Sequence, residues 1–328
     1  MLESRSPAQV IAPPPTSHAH PGQPLSLSDG PDVDAVLACL ARSDGSEAIS
    51  DLLFANLWLF RRVHDYRLHA GPRPCISGKT YDGTCHLIPL FDLCGEAQPQ
   101  LAALLREHGA ECFYPVSGRT VAELDPTQWC SHVSRDDADY LFPAENFLLY
   151  RGSALNKKRN LAKQLRKNFS LSHQVYQQIH RTAALQVLRQ WLADKLKSAG
   201  DADELACAEA LSHAEQLGLK GFVHTANGEA AGFVLAQQLQ PGVMVVRFAK
   251  GLDRFKGIYQ HMFQHFCQHA EAELGEPVQW LNFEQDMGLA NFRRTKLSYR
   301  PAALLPKYRV SPRQTGMNTK FKEQEAET

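Results

Sequence analysis

The chain has 328 residues, 44% hydrophobic and 21% charged, the composition of a globular protein with room for two domains. Its 35 Lys+Arg balance 35 Asp+Glu, so a uniformly basic nucleic-acid binder is excluded and attraction to phosphate must come from local patches. There is no apolar run of about 18 residues, no signal-like start and no C-x-x-C pair among the dispersed cysteines; no membrane span, secretory leader or cysteine zinc frame is expected, and a cytoplasmic protein with reduced thiols is.

Residues 1–31, rich in Pro, Ser, Gly and His, read as a disordered tail. The spacing of Val33, Val36, Leu37 and Leu40 predicts a helix over 32–42, and 50–60 reads as a short apolar helix. Three short strands follow at 66–69, 74–77 and 85–91, then a helix at 99–108 and a strand at 111–115. An acidic turn at 135–139 and an aromatic segment close a first domain, 32–150. The second, 151–310, opens with a basic connecting segment (151–170) whose helix is 156–168. Helices at 182–197 and 202–217 come next, and Asn227-Gly228 marks a type I′ hairpin between 219–225 and 230–236. The chain continues as a strand (243–249), a basic glycine loop (250–257), a helix (258–274), a strand (278–286) and a short basic helix (288–299). Residues 311–328 read as a second tail. The repeated order of elements points to two related halves of α/β class.

Several residues carry candidate chemistry. Gly257, between a strand and a helix, allows close backbone approach to a phosphate, and the helix start offers free N–H groups; Lys250, Arg254 and Lys256 add charge. Asn282, Glu284 and Asp286 alternate on the predicted strand and so share a face. Either acid there can take a proton from an acceptor, or Asp286 caps the next helix while Glu284 pairs with Arg293 or Arg294. Arg293 and Lys296, with Tyr299 one turn on, either clamp a donor or form a solvated basic face. Lys157, Arg159 and their basic neighbours at 158, 163, 166 and 167 form a stripe that suits a phosphate backbone, or an exposed face paired with the acidic turn. His261, His265 and His269 lie on one helix face; the spacing alone reads as a surface or partly packed stripe, and a metal would require a further ligand.

The order Phe54-Ala-Asn-Leu-Trp58, Asn156-Lys-Lys-Arg-Asn160, Lys256-Gly-Ile-Tyr259, Asn282-Phe-Glu-Gln-Asp-Met-Gly288 and Phe292-Arg-Arg-Thr-Lys-Leu-Ser-Tyr-Arg-Pro301 resembles soluble bacterial proteins similar to the phosphatidylglycerol lysyltransferase C-terminal domain. The resemblance covers most of 50–308. It implies two acetyltransferase-like (GNAT) domains in tandem, with mixed, mostly antiparallel sheets flanked by helices, as in Fem-type aminoacyl-tRNA-dependent transferases. Within it, Arg254-Phe-Lys-Gly257-Ile-Tyr259 is similar to the acetyltransferase phosphate loop at its first two fixed positions, with Tyr259 in place of the final small residue. That replacement counts against ordinary coenzyme A binding.

The expected function is therefore acyl transfer, with aminoacyl-tRNA as donor and acyl-coenzyme A as the rival. The acceptor would be a small-molecule, peptide or lipid amine or hydroxyl, and no permanently bound cofactor or metal is expected. Glu284, Asp286 and Tyr299 are the catalytic candidates. Lys250, Arg254, Lys256, Gly257 and Tyr259 are the donor-phosphate candidates, and Lys157, Arg159, Asn160, Asn282, Arg293 and Lys296 the substrate-binding ones. Backbone N–H groups near Val246–Phe248 would stabilise the oxyanion. A non-catalytic binding protein that kept the fold is the remaining alternative.

Overall fold

The computed structural model describes residues 22–44, 48–195 and 203–313. Most of the two predicted tails lies outside these residues. Their inner ends, however, are ordered. Gln23–Pro24 pairs with Arg67–His69, and Ser26 and Asp29 cap each other reciprocally ahead of the helix Gly30–Asp44. Composition pointed to disorder there because the prolines outweigh this short capping signal.

Two seven-stranded sheets share one plan. The first runs Gln23–Pro24, Arg67–His69, Cys75–Lys79, Cys85–Pro89, Cys112–Val116, Tyr308–Pro312, Trp129–Val133. The second runs Leu171–Val175, Lys220–Ala226, Glu229–Gln240, Val243–Gly251, Trp280–Asn282, Asp139–Pro143, Ala303–Leu305. In each, neighbours are antiparallel except at one parallel step between the fourth and fifth strands. A helix makes that crossover, Gln98–Glu107 in the first half and Ile258–His269 in the second, as a parallel pair requires.

The sixth strand of each sheet comes from the other half. Asp139–Pro143 sits in the second sheet, and Tyr308–Pro312 lies between Cys112–Val116 and Trp129–Val133 in the first. The sheets therefore do not part at residue 150, and residues 311–312 are strand where the sequence reads as tail. The helices of the first half also share a core with the second sheet: Val33, Leu37, Phe54 and Trp58 belong to one buried cluster with Phe233, Leu235 and Phe248.

The hairpin at Asn227-Gly228 has positive φ at both residues, 51° and 82°, as a type I′ turn requires. The predicted strand 278–286 is regular only over Trp280–Asn282. The predicted helix 258–274 is α-helical over Ile258–His269 and closes in a π-turn, Ala270–Leu274.

Candidate active site

The parallel ladder between Val243–Gly251 and Trp280–Asn282 stops after the pair Val245↔Asn282, and the strands fork. A β-bulge sits at the fork: Phe248 faces Leu235 and Val246 faces Ala236, which leaves Arg247 as the extra residue. Across the gap Glu284 has φ +56°, a left-handed conformation that costs a non-glycine residue about 1 kcal/mol or more. This turn ends the strand and undoes the expected alternation, so Glu284 and Asp286 enter different surroundings.

Arg247, fully buried, donates to Glu284 Oε1 at 2.6 Å, to the Ser50 carbonyl at 2.7 Å and to Asn56 Oδ1 at 3.2 Å. Its Nε is buried without a hydrogen-bond partner. Glu284 keeps about a quarter of its side chain exposed. Burial raises its pKa above the ordinary carboxylate value, and the Arg247 charge only partly offsets this. It is a carboxylate of raised basicity that solvent can reach.

Asp286 is the opposite case. Arg293 holds it through two bonds of 2.9 Å, Tyr140 donates its hydroxyl, and the Gly288 N–H donates at 3.0 Å. Burial works to raise its pKa, but these donors win and keep it well below the carboxylate range. Such an anion orients its neighbours and is a poor base. Lys296 donates to the carbonyls of Phe283 (2.6 Å), Glu284 (3.1 Å) and Gln285. Burial lowers its pKa to about 8. It fastens the turn that carries Glu284.

Asn282 is fully buried. It receives the Glu284 N–H at 2.6 Å and donates to the Ala48 carbonyl and to Asp139. Asp139 and Asp51 flank the buried Lys307, which also reaches Gln285 Oε1 at 2.8 Å. Burial favours neutral Lys307, but the two carboxylates outweigh it and raise its pKa. This junction joins segments from both halves beneath a cavity of about 420 Å³. Aromatic rings line the cavity (His64, Tyr66, Tyr81, His86, Tyr114, His132), as do Asp51, Gln285 and Arg309. Neither ring nitrogen of buried His86 is hydrogen-bonded, and burial pushes its pKa down to about 4.

The glycine loop is arranged differently from a phosphate cradle. Gly257 has φ +102°, and a Cβ there would lie 2.3 Å from the Leu161 carbonyl oxygen, so the basic helix covers it. Arg254 pairs with Glu229 at 3.0 Å. Lys250 is buried, bonded to Asp203 at 2.6 Å and stacked over Trp191. The Tyr259 hydroxyl receives the Trp191 indole and the Gly251 N–H. Lys256 is exposed. The glycine requirement was legible; its cause is a neighbouring helix.

Tyr299 is buried among Phe147, Phe263 and Phe283, with its hydroxyl accepting from Gln260 at 2.8 Å. Lys158 lies 3.9 Å over its ring, and burial lowers that amine's pKa to about 8. Arg159 donates to the Tyr150 carbonyl and to Asn156, while Lys157, Asn160, Lys163 and Lys167 are exposed. The acidic turn does not partner this helix: Asp136 pairs with Arg293, Asp137 with Arg309 and Asp139 with Lys307. The structure thus gathers Asn282, Glu284, Asp286, Arg293 and Lys296 around one turn and leaves the glycine loop and basic helix apart from it. Arg247, Asp51, Asp139, Lys307 and the cavity rings were missed. A lone arginine inside the apolar run 243–249 was the available signal for the first.

Two sheets of one plan, each with a crossover helix at its parallel step, define a tandem acetyltransferase-like fold. Residues 43–311 match the family described as phosphatidylglycerol lysyltransferase, C-terminal, and the chain belongs to it. Family and fold together make it an acyltransferase. A protein of unknown function from Bacteroides thetaiotaomicron superposes with a TM-score of 0.75 at 21% identity, covering 89% of this chain and 99% of that one. L-PGS from Bacillus licheniformis gives 0.57 at 15% identity, covering 89% and 93%. FemX gives 0.56 at 9% identity, covering 87% and 96%. No curated protein matches the chain in sequence. Among the described residues, no helix is long and apolar enough to cross a membrane.

Proposed function

We propose that the protein transfers an aminoacyl group from aminoacyl-tRNA to an amine or hydroxyl that enters by the cavity lined by Gln285, the residue after Glu284. The observation that carries this reading is the covered glycine loop. With Leu161 against Gly257, Arg254 paired and Lys250 buried, the pyrophosphate of an acyl-coenzyme A has no cradle at the usual place. The rings of Phe263 and Phe283, 4.9 Å apart, pack beside the fork where such a donor would thread. Meanwhile the helix Asn156–Asn168 carries six cations and no acid, with most of them exposed, which suits a tRNA backbone.

In this scheme the acceptor N or O attacks the ester carbonyl of the charged tRNA. A bond forms from acceptor to acyl carbon, and the bond from that carbon to the ribose oxygen breaks. Glu284 takes the acceptor proton and returns it to the leaving ribose oxygen. The backbone N–H groups near Val246–Phe248 are the donors for the developing oxyanion, and buried Arg247 holds Glu284 in place. Asn282, Lys296 and the Asp286–Arg293 pair position the turn.

The test is release of labelled amino acid from mixed charged tRNAs, with lipid, peptide and small amine pools supplied as acceptors. Acceptor-dependent release that Glu284→Gln abolishes is expected. Turnover of acetyl-coenzyme A instead, or tRNA binding with no release for any acceptor, would overturn the reading.

A further inference from the structure

The helix Ile258–His269 turns its histidine face onto the outer strands of the second sheet, away from the cavity. There His261, His265 and His269 meet His173 from Leu171–Val175 and His224 from Lys220–Ala226. His265 is buried while His261 and His269 are half-buried, so of the two readings its spacing allowed this face is the partly packed stripe. The π-turn after the helix brings Glu273 to the same point, and π-turns inside helices often mark functional sites.

Three ligand atoms, one each from His173, His265 and Glu273, lie within 4.8 Å of one another. His173 Nε2 is 3.3 Å from Glu273 Oε1. Two ligands about 2.0–2.1 Å from a tetrahedral zinc are themselves about 3.3 Å apart, so this edge is already set. His269 Nδ1 approaches the same carboxylate oxygen at 3.0 Å, the kind of outer bond that fixes a ligating carboxylate. Both ring nitrogens of His265, and both of fully buried His224, have no hydrogen-bond partner. A buried imidazole without partners is costly unless something else takes its lone pair.

We infer that His173, His265 and Glu273 bind one divalent cation of the zinc class, with solvent or a neighbouring imidazole as fourth ligand. The set of two imidazoles and one carboxylate suits zinc, cobalt or nickel better than magnesium or calcium. His173 and Glu273 are each about a third exposed, which gives an ion a route in. Bound there, it would tie the edge strand Leu171–Val175 to the crossover helix.

The test is titration of the full chain, stripped by chelator, with Zn(II) and Co(II). One saturable site per chain and a raised Tm are expected, with cobalt visible bands that lack thiolate charge transfer. His173→Ala and Glu273→Gln should each weaken binding tenfold or more while circular dichroism stays unchanged. The double variant His18→Ala/His20→Ala, altered outside the described residues, should bind like the parent. Absence of saturable binding, thiolate bands, loss in the His18/His20 variant, or full binding in both site variants would overturn the assignment.

Discussion

Arg247 and Glu284 face each other across the fork of the second sheet, 2.6 Å apart, one fully buried and the other open to solvent on one side. Both stand on irregular backbone, a bulge and a left-handed residue, each of which redirects a side chain into the gap. The pair makes a base that is held in place yet keeps a raised pKa.

Glu284→Gln keeps the hydrogen bond from Arg247 and removes the basic function. Transfer should fall by about 10²-fold or more, with Tm little changed. Because burial raises the Glu284 pKa, the parent's rate should climb with pH through a midpoint above the ordinary carboxylate value, and that limb should vanish in the variant. An identical pH profile in the two proteins would remove Glu284 from the mechanism.

Arg247→Met leaves Glu284, Asn56 and the Ser50 carbonyl without their shared donor. A loss of about 3 kcal/mol is expected in denaturant unfolding, as for other broken buried pairs. A loss below about 1 kcal/mol would mean that water replaces the guanidinium at little cost.

Lys307→Met tests the buried junction through the sign of its pH dependence. In the parent, burial raises the Asp51 pKa but Lys307 more than reverses it, giving a net lowering. Stability from this group is present above the usual carboxylate value of 3.8 and is lost as pH falls through the lower folded value. Without Lys307, burial, the largest influence, is opposed only by the charges of Arg247 and His64, and the folded pKa rises. The variant should therefore gain stability as pH falls through the range where the parent begins to lose it. Parallel curves of stability against pH would show that Lys307 does not set the Asp51 charge.

Gly257→Ala separates packing from phosphate binding. The left-handed φ and the 2.3 Å contact with the Leu161 carbonyl should cost about 2 kcal/mol or more. Arg254→Ala, which breaks an exposed pair with Glu229, should change neither stability nor aminoacyl transfer measurably. A strong loss of transfer in Arg254→Ala would restore the glycine loop as a donor site.

Lys163→Ala/Lys167→Ala removes two exposed cations from the basic helix. Charged-tRNA binding should weaken, and the slope of log affinity against log salt should shrink by about one unit per lysine. An unchanged slope would place the tRNA elsewhere.

Local signals carried much of the fold. Asn227-Gly228 forces its turn wherever it occurs, and the helix Asn156–Asn168 begins and ends where its pattern does. Long-range pairing was not legible. Tyr308–Pro312 is a strand because Cys112–Val116 and Trp129–Val133 leave a slot for it about 180 residues upstream, and nothing in its own composition says so. Leu171–Val175, half-exposed along its length, lacks an apolar alternation to read. At the site, residue types pointed to the turn 282–296, around which the structure gathers Asn282, Glu284, Asp286, Arg293 and Lys296. The division of labour between Glu284 and Asp286 followed from one backbone angle and from Arg293 and Tyr140, which only the folded chain brings near.

The exchanged sixth strands make the two halves interdependent during synthesis. A nascent chain that has emerged only to residue 300 has already placed Asp139–Pro143 within reach of the second sheet, but Trp129–Val133 has no neighbour until Tyr308–Pro312 leaves the ribosome. Translation that stops short therefore yields one sheet with an open seam at Cys112–Val116 and another lacking its last strand, Ala303–Leu305. Unpaired edges of this kind attract other chains and proteases. A product cut short there exposes sheet edges that the full chain covers, in a site that needs segments from both halves.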